Sequence, residues 1–176
     1  LAVHLNQKLL RTLPMLEDLP SEVCTEIIIC LKPLGVSPGE TICSADEPGL
    51  EVYMLPRGTV QVVSADKRAV YATLPEGSVF GEISVMHNCN HIASCIALTH
   101  CDLFRLAKED LFRIGERHPE LITAFNELAD QRMLESRMRD RRRVKRKDSL
   151  VANADGSPMR KAVVTANSLL TFGLSP

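Results

Sequence analysis

The sequence predicts an α+β fold in which a small antiparallel β barrel is enclosed by helices. Three observations lead there. From Pro33 to Leu106 the chain is cut into short alternating or apolar runs by turn signals at Ser37-Pro-Gly39, Asp46-Glu-Pro-Gly49, Arg57-Gly58, Ala65-Asp-Lys67 and Pro75-Glu-Gly77. Helical spacing of apolar residues precedes this region and returns at Lys108. Within the strand region, Gly77-Ser-Val-Phe-Gly-Glu-Ile-Ser84 breaks the pattern with a glycine-opened turn. A chain of 176 residues, 45% of them hydrophobic, can bury one core of ordinary size, so a single domain with flanking pieces is expected.

Taken in order, Leu1, Leu5, Leu9 and Leu10 lie on one side of an amphipathic helix that Pro14 interrupts. Ser21 is the expected N-cap of the next helix, with Glu22 and Glu26 near its positive end. Its apolar stripe of Val23, Ile27, Ile28 and Leu31 stops before Pro33. Seven runs then read as strands: Leu34–Val36, Thr41–Ser44, Glu51–Leu55, Thr59–Ser64, Ala69–Leu74, Ile92–Leu98 and Cys101–Leu106. Gly39, Gly49, Gly58 and Gly77 are expected at the tight corners between them. Leu111, Phe112 and Ile114 mark a helix after Lys108, and Pro119 restarts the chain as another. There Leu121, Phe125, Leu128 and Arg132 follow i, i+4, i+7 and i+11, so an arginine continues an apolar stripe.

The net charge of −1 conceals a split. Leu1–Ser136 holds 11 Lys+Arg against 19 Asp+Glu, and Arg137–Pro176 holds 10 against 3, about −8 and +7. The basic run Arg137–Lys147 leads into a Ser/Ala/Asn-rich tail. Six cysteines, at 24, 30, 43, 89, 95 and 101, form no Cys-x-x-Cys pair and read as reduced thiols of a cytosolic compartment. No apolar stretch approaches the ~20 residues that cross a bilayer, and a start at Leu1 suggests a piece of something longer. His87-x-Cys89-x-His91, with Cys95, His100 and Cys101 nearby, offers metal-type ligands at a spacing that matches no zinc pattern, so no metal is assigned. No nucleophile, base and orienting group cluster, and no glycine loop ends in Gly-Lys-Ser/Thr, so the protein reads as a non-enzyme.

At the central turn, Gly81 opens a short segment in which Glu82, Ile83 and Ser84 present consecutive backbone N–H groups, a natural anion cradle. A carboxylate beside such a cradle suits sugar hydroxyls, so the pairing suggests a sugar phosphate. Phe80-Gly81-Glu82-Ile83-Ser84 resembles the phosphate-binding cassette of cyclic-nucleotide-binding domains, F-G-E-[IL]-[SA], which a loop joins to R-[TS]-A. Here His91-Ile92-Ala93 keeps only the alanine of that second motif. Ser37-Pro-Gly39-Glu-Thr-Ile42 and Glu51-Val-Tyr-Met-Leu-Pro-Arg-Gly58 resemble other family patterns, the latter with Met and the aromatic exchanged.

The resemblance covers roughly Leu16–Ser136 and implies an eight-stranded antiparallel β-roll, jelly-roll-like, with N-terminal helices, a short cassette helix and two closing helices. It divides the chain into linker (1–16), domain (17–136), and basic run with a disordered tail (137–176). His118 to Arg132 is similar to the second closing helix of hyperpolarisation-activated and cyclic-nucleotide-gated channels, whose matching arginine helps to cap the purine. Arg132 is on that reading a purine cap, and otherwise an exposed edge residue. The expected ligand contacts are therefore Phe80, Gly81, Glu82, Ile83, Ser84, His91, Ile92, Ala93 and Arg132.

The implied role is the regulatory domain of a voltage- or ligand-gated cation channel, on the cytoplasmic face of the plasma membrane. The implied ligand is cyclic AMP or cyclic GMP, with no further cofactor and no nucleic acid. The implied partners are the channel's own pore and linker within a homotetramer, and anionic lipid beside Arg137–Lys147. In family members the arginine at the place of His91 pairs with the cyclic phosphate. Losing one partner of such a pair costs about 2–5 kcal/mol, so binding is expected to be weakened. Protonation of His91 would restore the charge and tighten binding at lower pH. Alternatives are a degenerate channel domain that is self-liganded or serves assembly, and the sensor of a sodium/proton exchanger.

Overall fold

Helix α1 (Ser21–Cys30) begins after Pro20, whose extended backbone makes it the N-cap without a side-chain bond. Ser21, expected at that position, is instead the first helical residue, and its carbonyl accepts from the Thr25 hydroxyl at 2.8 Å. Val23, Ile27 and Ile28 face the core as the stripe predicted. The computed structural model describes residues 19–148, 151–152 and 158–159. The linker-like helix and most of the Ser/Ala/Asn-rich tail lie outside the described residues.

Eight strands follow: β1 (Lys32–Val36), β2 (Thr41–Cys43), β3 (Glu51–Arg57), β4 (Val60–Val63), β5 (Val70–Leu74), β6 (Ser78–Phe80), β7 (Ser94–Ala97) and β8 (Cys101–Ala107), with the short helix α2 (Glu82–Met86) between β6 and β7. They form two four-stranded antiparallel sheets ordered β1-β8-β3-β6 and β2-β7-β4-β5, the expected roll. Pro33 lies inside β1 because that strand is at a sheet edge, where a missing N–H is tolerated. Two departures from the sequence reading bear on the site. Ser78–Phe80, too short to show a period, is a strand on β3. The strand predicted from Ile92 starts only at Ser94, and Ile92 and Ala93 form a bend.

Two helices close the fold, α3 (Lys108–Gly115) and α4 (Pro119–Asp148). The inner faces of the sheets enclose one core, with Cys43, Tyr53, Leu55, Phe80, Cys95 and Leu103. The second core lies between β-roll and helices, where Val52, Met54, Val79 and Leu106 meet Ile27, Leu111 and Phe125. Leu121, Phe125 and Ala129 of α4 are fully buried, so four-residue spacing fixes which helix face meets the roll. Gly115 lets α4 approach α3, because a Cβ there would lie 2.3 Å from Ile122.

The chain divides into two units between Met133 and Leu134. In the second, the backbone of α4 stays helical to Asp148, so residues 137–147 are helical, and Val151–Ala152 pairs antiparallel with Pro158–Met159. Among the described residues, no helix is long and apolar enough to cross a membrane.

Candidate functional site

Strand β6 delivers the chain to Gly81, whose φ of 86° and ψ of −11° are left-handed. Only glycine adopts this without strain, and a Cβ would also stand 2.8 Å from the Glu51 carbonyl. That bend starts α2. Its first closing bond runs from the Val85 N–H to the Gly81 carbonyl at 3.3 Å. The N–H groups of Glu82, Ile83 and Ser84 thus precede the helix's own ladder and can receive an anion. Gly49, expected as a corner, has no positive φ and serves a different end. A Cβ there would lie 2.1 Å from that of Ser84, so a bare backbone is what lets the β2–β3 loop press against the cassette helix.

The side chains around this turn are held in pairs. Phe80 is buried and its ring stacks on Tyr53, centroids 5.2 Å apart and planes 16° from parallel. Burial raises the Tyr53 phenol, whose hydroxyl lies 3.2 Å from Glu51 Oε2. Glu51 in turn lies 3.3 Å from Arg105. Glu82 is only 2% exposed, and Arg132 of α4 donates to its Oε1 at 2.9 Å. Burial pushes the Glu82 carboxyl up, while the Arg132 guanidinium works against that rise. Arg132 also donates to the Val79 carbonyl, so one guanidinium joins α4 to both sides of Gly81. A second cassette contact comes from His87, whose Nε2 is 3.3 Å from Asp130 Oδ1.

His91 is buried, with Nδ1 2.9 Å from the Ser84 hydroxyl. Its N–H donates to the Glu47 carbonyl at 2.8 Å and its carbonyl accepts from Asp46 N–H at 2.9 Å, which fastens the bend to the β2–β3 loop. Burial lowers the imidazole pKa, and the nearby Glu47 carboxylate only partly opposes this, so His91 is neutral near pH 7. Beside it opens a cleft of about 320 Å³ whose walls include Cys43, Glu47, Tyr53, His91 and Glu109.

Of the residues expected to contact ligand, Phe80 to Ser84 and His91 converge through the Ser84–His91 contact, and Arg132 reaches them through Glu82. Arg132 lies neither alone on a stripe nor at an exposed edge. Ile92 is 45% exposed, and Ala93 is half-buried in the bend. The sequence reading missed Tyr53, Glu47 and the His87–Asp130 pair. Tyr53 was visible as the aromatic of a family pattern, whereas Glu47 and Asp130 are acids in polar segments that only tertiary contact distinguishes.

Comparison with known proteins places this geometry. The family model for the cyclic nucleotide-binding domain matches residues 34–118. A cyclic nucleotide-gated channel of Caenorhabditis elegans is 33% identical over 126 residues, 68% of this chain and 17% of that protein. The human cyclic nucleotide-gated channel alpha-3 is 27% identical over 146 residues, 80% of this chain and 21% of that protein. The chain therefore spans about a fifth of the length of these relatives. Among solved structures, the regulatory domain of Toxoplasma gondii PKA with cAMP superposes with a TM-score of 0.66 at 16% identity, covering 74% of this chain and 50% of that one. The regulatory subunit of a cAMP-independent protein kinase A from Trypanosoma brucei gives 0.69 at 20% identity, covering 79% and 50%. Through residues 34–118 the chain belongs to the cyclic nucleotide-binding domain family.

Proposed function

We propose that the domain is the cytoplasmic sensor of a cation channel, which binds cyclic AMP or cyclic GMP weakly at the cassette and passes binding to the pore through α4 and the linker. The observation that carries this is the bond from Arg132 to Glu82, because it ties the helix that would move to the carboxylate that would meet the ligand. A carboxylate has about four lone-pair sites, and Arg132 takes one on Oε1, so ribose hydroxyls can share Glu82 with α4. The cyclic phosphate would lie on the N–H groups of Glu82, Ile83 and Ser84, and the purine against Arg132. Ligand that prefers the arrangement with α4 seated shifts the population toward it, and no other coupling is needed.

Weak affinity follows from His91. A neutral imidazole bonded to Ser84 brings no positive charge to the phosphate, where an arginine would bring a charged fork. On the phosphate's arrival His91 gains an anionic partner and takes up a proton, so binding tightens as pH falls. Ile92, without a hydroxyl, gives cyclic GMP no added contact.

A second reading is favoured by the same Arg132 contact. In it the domain is self-latched: α4 satisfies Glu82 by itself, and the cassette serves as scaffold. Calorimetric titration of wild type and His91→Arg with cyclic AMP and cyclic GMP separates the two. The sensor reading predicts saturable binding by both proteins, tighter in the variant by at least about 30-fold. Silence of both at millimolar ligand supports the latched domain. Tetramer formation in the full-length protein and contact of residues 137–147 with anionic lipid belong to the same proposal.

A further inference from the structure

Cys43 and Cys95 meet in a way that none of the other cysteines does. On the β2–β7 ladder Thr41 opposes Ile96 and Cys43 opposes Cys95, so Ile42 is the extra residue of a bulge that brings the two cysteines into register. Opposed residues of an antiparallel pair have Cα atoms about 4.5–5.5 Å apart, within the roughly 4.4–6.8 Å that a disulfide spans. Both side chains lie in the core between the sheets, 7% and 6% exposed, at facing positions of the ladder. Three of the other four thiols are engaged differently: Cys24 faces the Leu19 carbonyl, Cys30 the Arg113 guanidinium, and Cys101 the Thr59 and Thr99 carbonyls.

The pair is also asymmetric. Cys43 forms part of the wall of the cleft beside His91, whereas Cys95 is not among the residues that line it. The neighbouring Cys95 thiol lowers the Cys43 pKa against the effects of burial and of Glu47, whereas Cys95 is raised well above the usual thiol range. Cys43 is thus the residue of the pair that lines the cleft, and the direction of the two shifts makes it the thiol that gives up its proton first.

We propose that Cys43 and Cys95 are a reversible dithiol–disulfide pair, oxidised by a small hydroperoxide that reaches Cys43 through the cleft. The Cys43 thiolate attacks the terminal peroxide oxygen. An S–O bond forms, the O–O bond breaks, and the leaving oxygen departs as water, or as an alcohol from an organic hydroperoxide, with the proton Cys43 had given up. The Cys95 sulfur then attacks the Cys43 sulfenic acid. An S–S bond forms, the S–O bond breaks, and hydroxide leaves with the Cys95 proton as a second water. Two thiols lose two electrons and two protons, which reduce one peroxide.

The bond would fix β2 to β7 at the base of the segments that hold the cassette. Beyond Cys43, Ala45 N–H donates to the Ser94 hydroxyl at 2.9 Å, and residues 46 and 47 bond the His91 backbone. Oxidation would therefore tie the loop and the bend that grip His91 into one covalent ring, whether or not a cyclic nucleotide binds there.

The test is peroxide treatment of the purified chain, alkylation of remaining thiols, and peptide mapping. Cys89, Cys95 and Cys101 share one tryptic peptide, residues 69–105, so fragment ions must assign the sulfur. The expected result is a mass loss of about 2 Da, a Cys43–Cys95 link, and full reversal by dithiothreitol. Cys95→Ser should leave Cys43 as a sulfenic acid captured by dimedone, and Cys43→Ser should leave Cys95 unmodified. Recovery of both cysteines alkylated after peroxide, a link to Cys89 or Cys101 instead, or irreversible acid at Cys43 in wild type would overturn the proposal. The wild-type map decides alone if a variant fails to fold.

Discussion

Replacing Arg132 by alanine removes a guanidinium bonded to a carboxylate that is 2% exposed. Breaking a fully buried ion pair from one side costs about 3–5 kcal/mol. Two features reduce that figure here. The Arg132 side chain is 29% exposed, so solvent already screens part of the pair, and Glu82 can escape by taking up a proton. The expected loss is about 2 kcal/mol at pH 7.5, or a melting temperature lower by roughly 5–10 °C. The pH dependence identifies the cause. Burial raises the folded pKa of Glu82 above its unfolded value, so its ionisation costs stability as pH rises through that interval, and the cost vanishes below the unfolded value of about 4.5. Without Arg132 the folded pKa rises further and the interval widens upward. Urea unfolding followed by circular dichroism should therefore show a deficit that is largest at pH 7.5 and shrinks toward pH 5. In a Glu82→Gln background the Arg132 substitution should cost about 1 kcal/mol less than in wild type. Equal deficits at both pH values, with additive single and double variants, would refute the argument that Arg132 acts through Glu82.

Other outcomes follow from the same geometry. Gly49→Ala places a methyl 2.1 Å from the Ser84 Cβ and should destabilise the domain by about 1–3 kcal/mol in thermal unfolding, although Gly49 has an ordinary backbone conformation. Gly81→Ala, which adds strain at φ 86° to a clash with the Glu51 carbonyl, should cost at least as much. The folded pKa of His91 is depressed, so its contribution to stability is present above the unfolded value of about 6.5 and is lost as pH falls below it. Relative to His91→Asn, unliganded wild type should lose stability between pH 7.5 and 5.5. A constant difference over that range would mean that His91 is not held neutral by burial.

The roll and the cassette were legible because each has a local signature. Turn residues separated the runs from Thr41 to Leu106, and Phe80-Gly81-Glu82-Ile83-Ser84 carries in five residues the bend, the N–H row and the acid that the site uses. Three residues of β6 between two glycines could not display a period of two, and the strand exists because β3 pairs with it. The β-branched and apolar residues after His91 look like strand, but the backbone bonds of His91 go to residues 46 and 47 and delay β7 to Ser94. Gly49 was legible as glycine and not as a contact, because the Ser84 Cβ that forbids a side chain is 35 positions away. Arg132 stood out from its stripe, yet only the packing of Phe125 and Ala129 against the roll puts it over Glu82. Periodicity places such a residue on a face, and the opposing partner comes from tertiary structure.

The most direct test of cyclic nucleotide binding at this cassette is amide nuclear magnetic resonance of the isotope-labelled chain, titrated with cyclic AMP up to millimolar concentration and with linear AMP as control. The account predicts saturable shifts of the Gly81, Glu82, Ile83 and Ser84 amides and of the Arg132 guanidinium, larger at pH 6 than at pH 7.5, with the linear nucleotide weaker. Shifts confined to other parts of the roll, or an unchanged spectrum at both pH values, would contradict it.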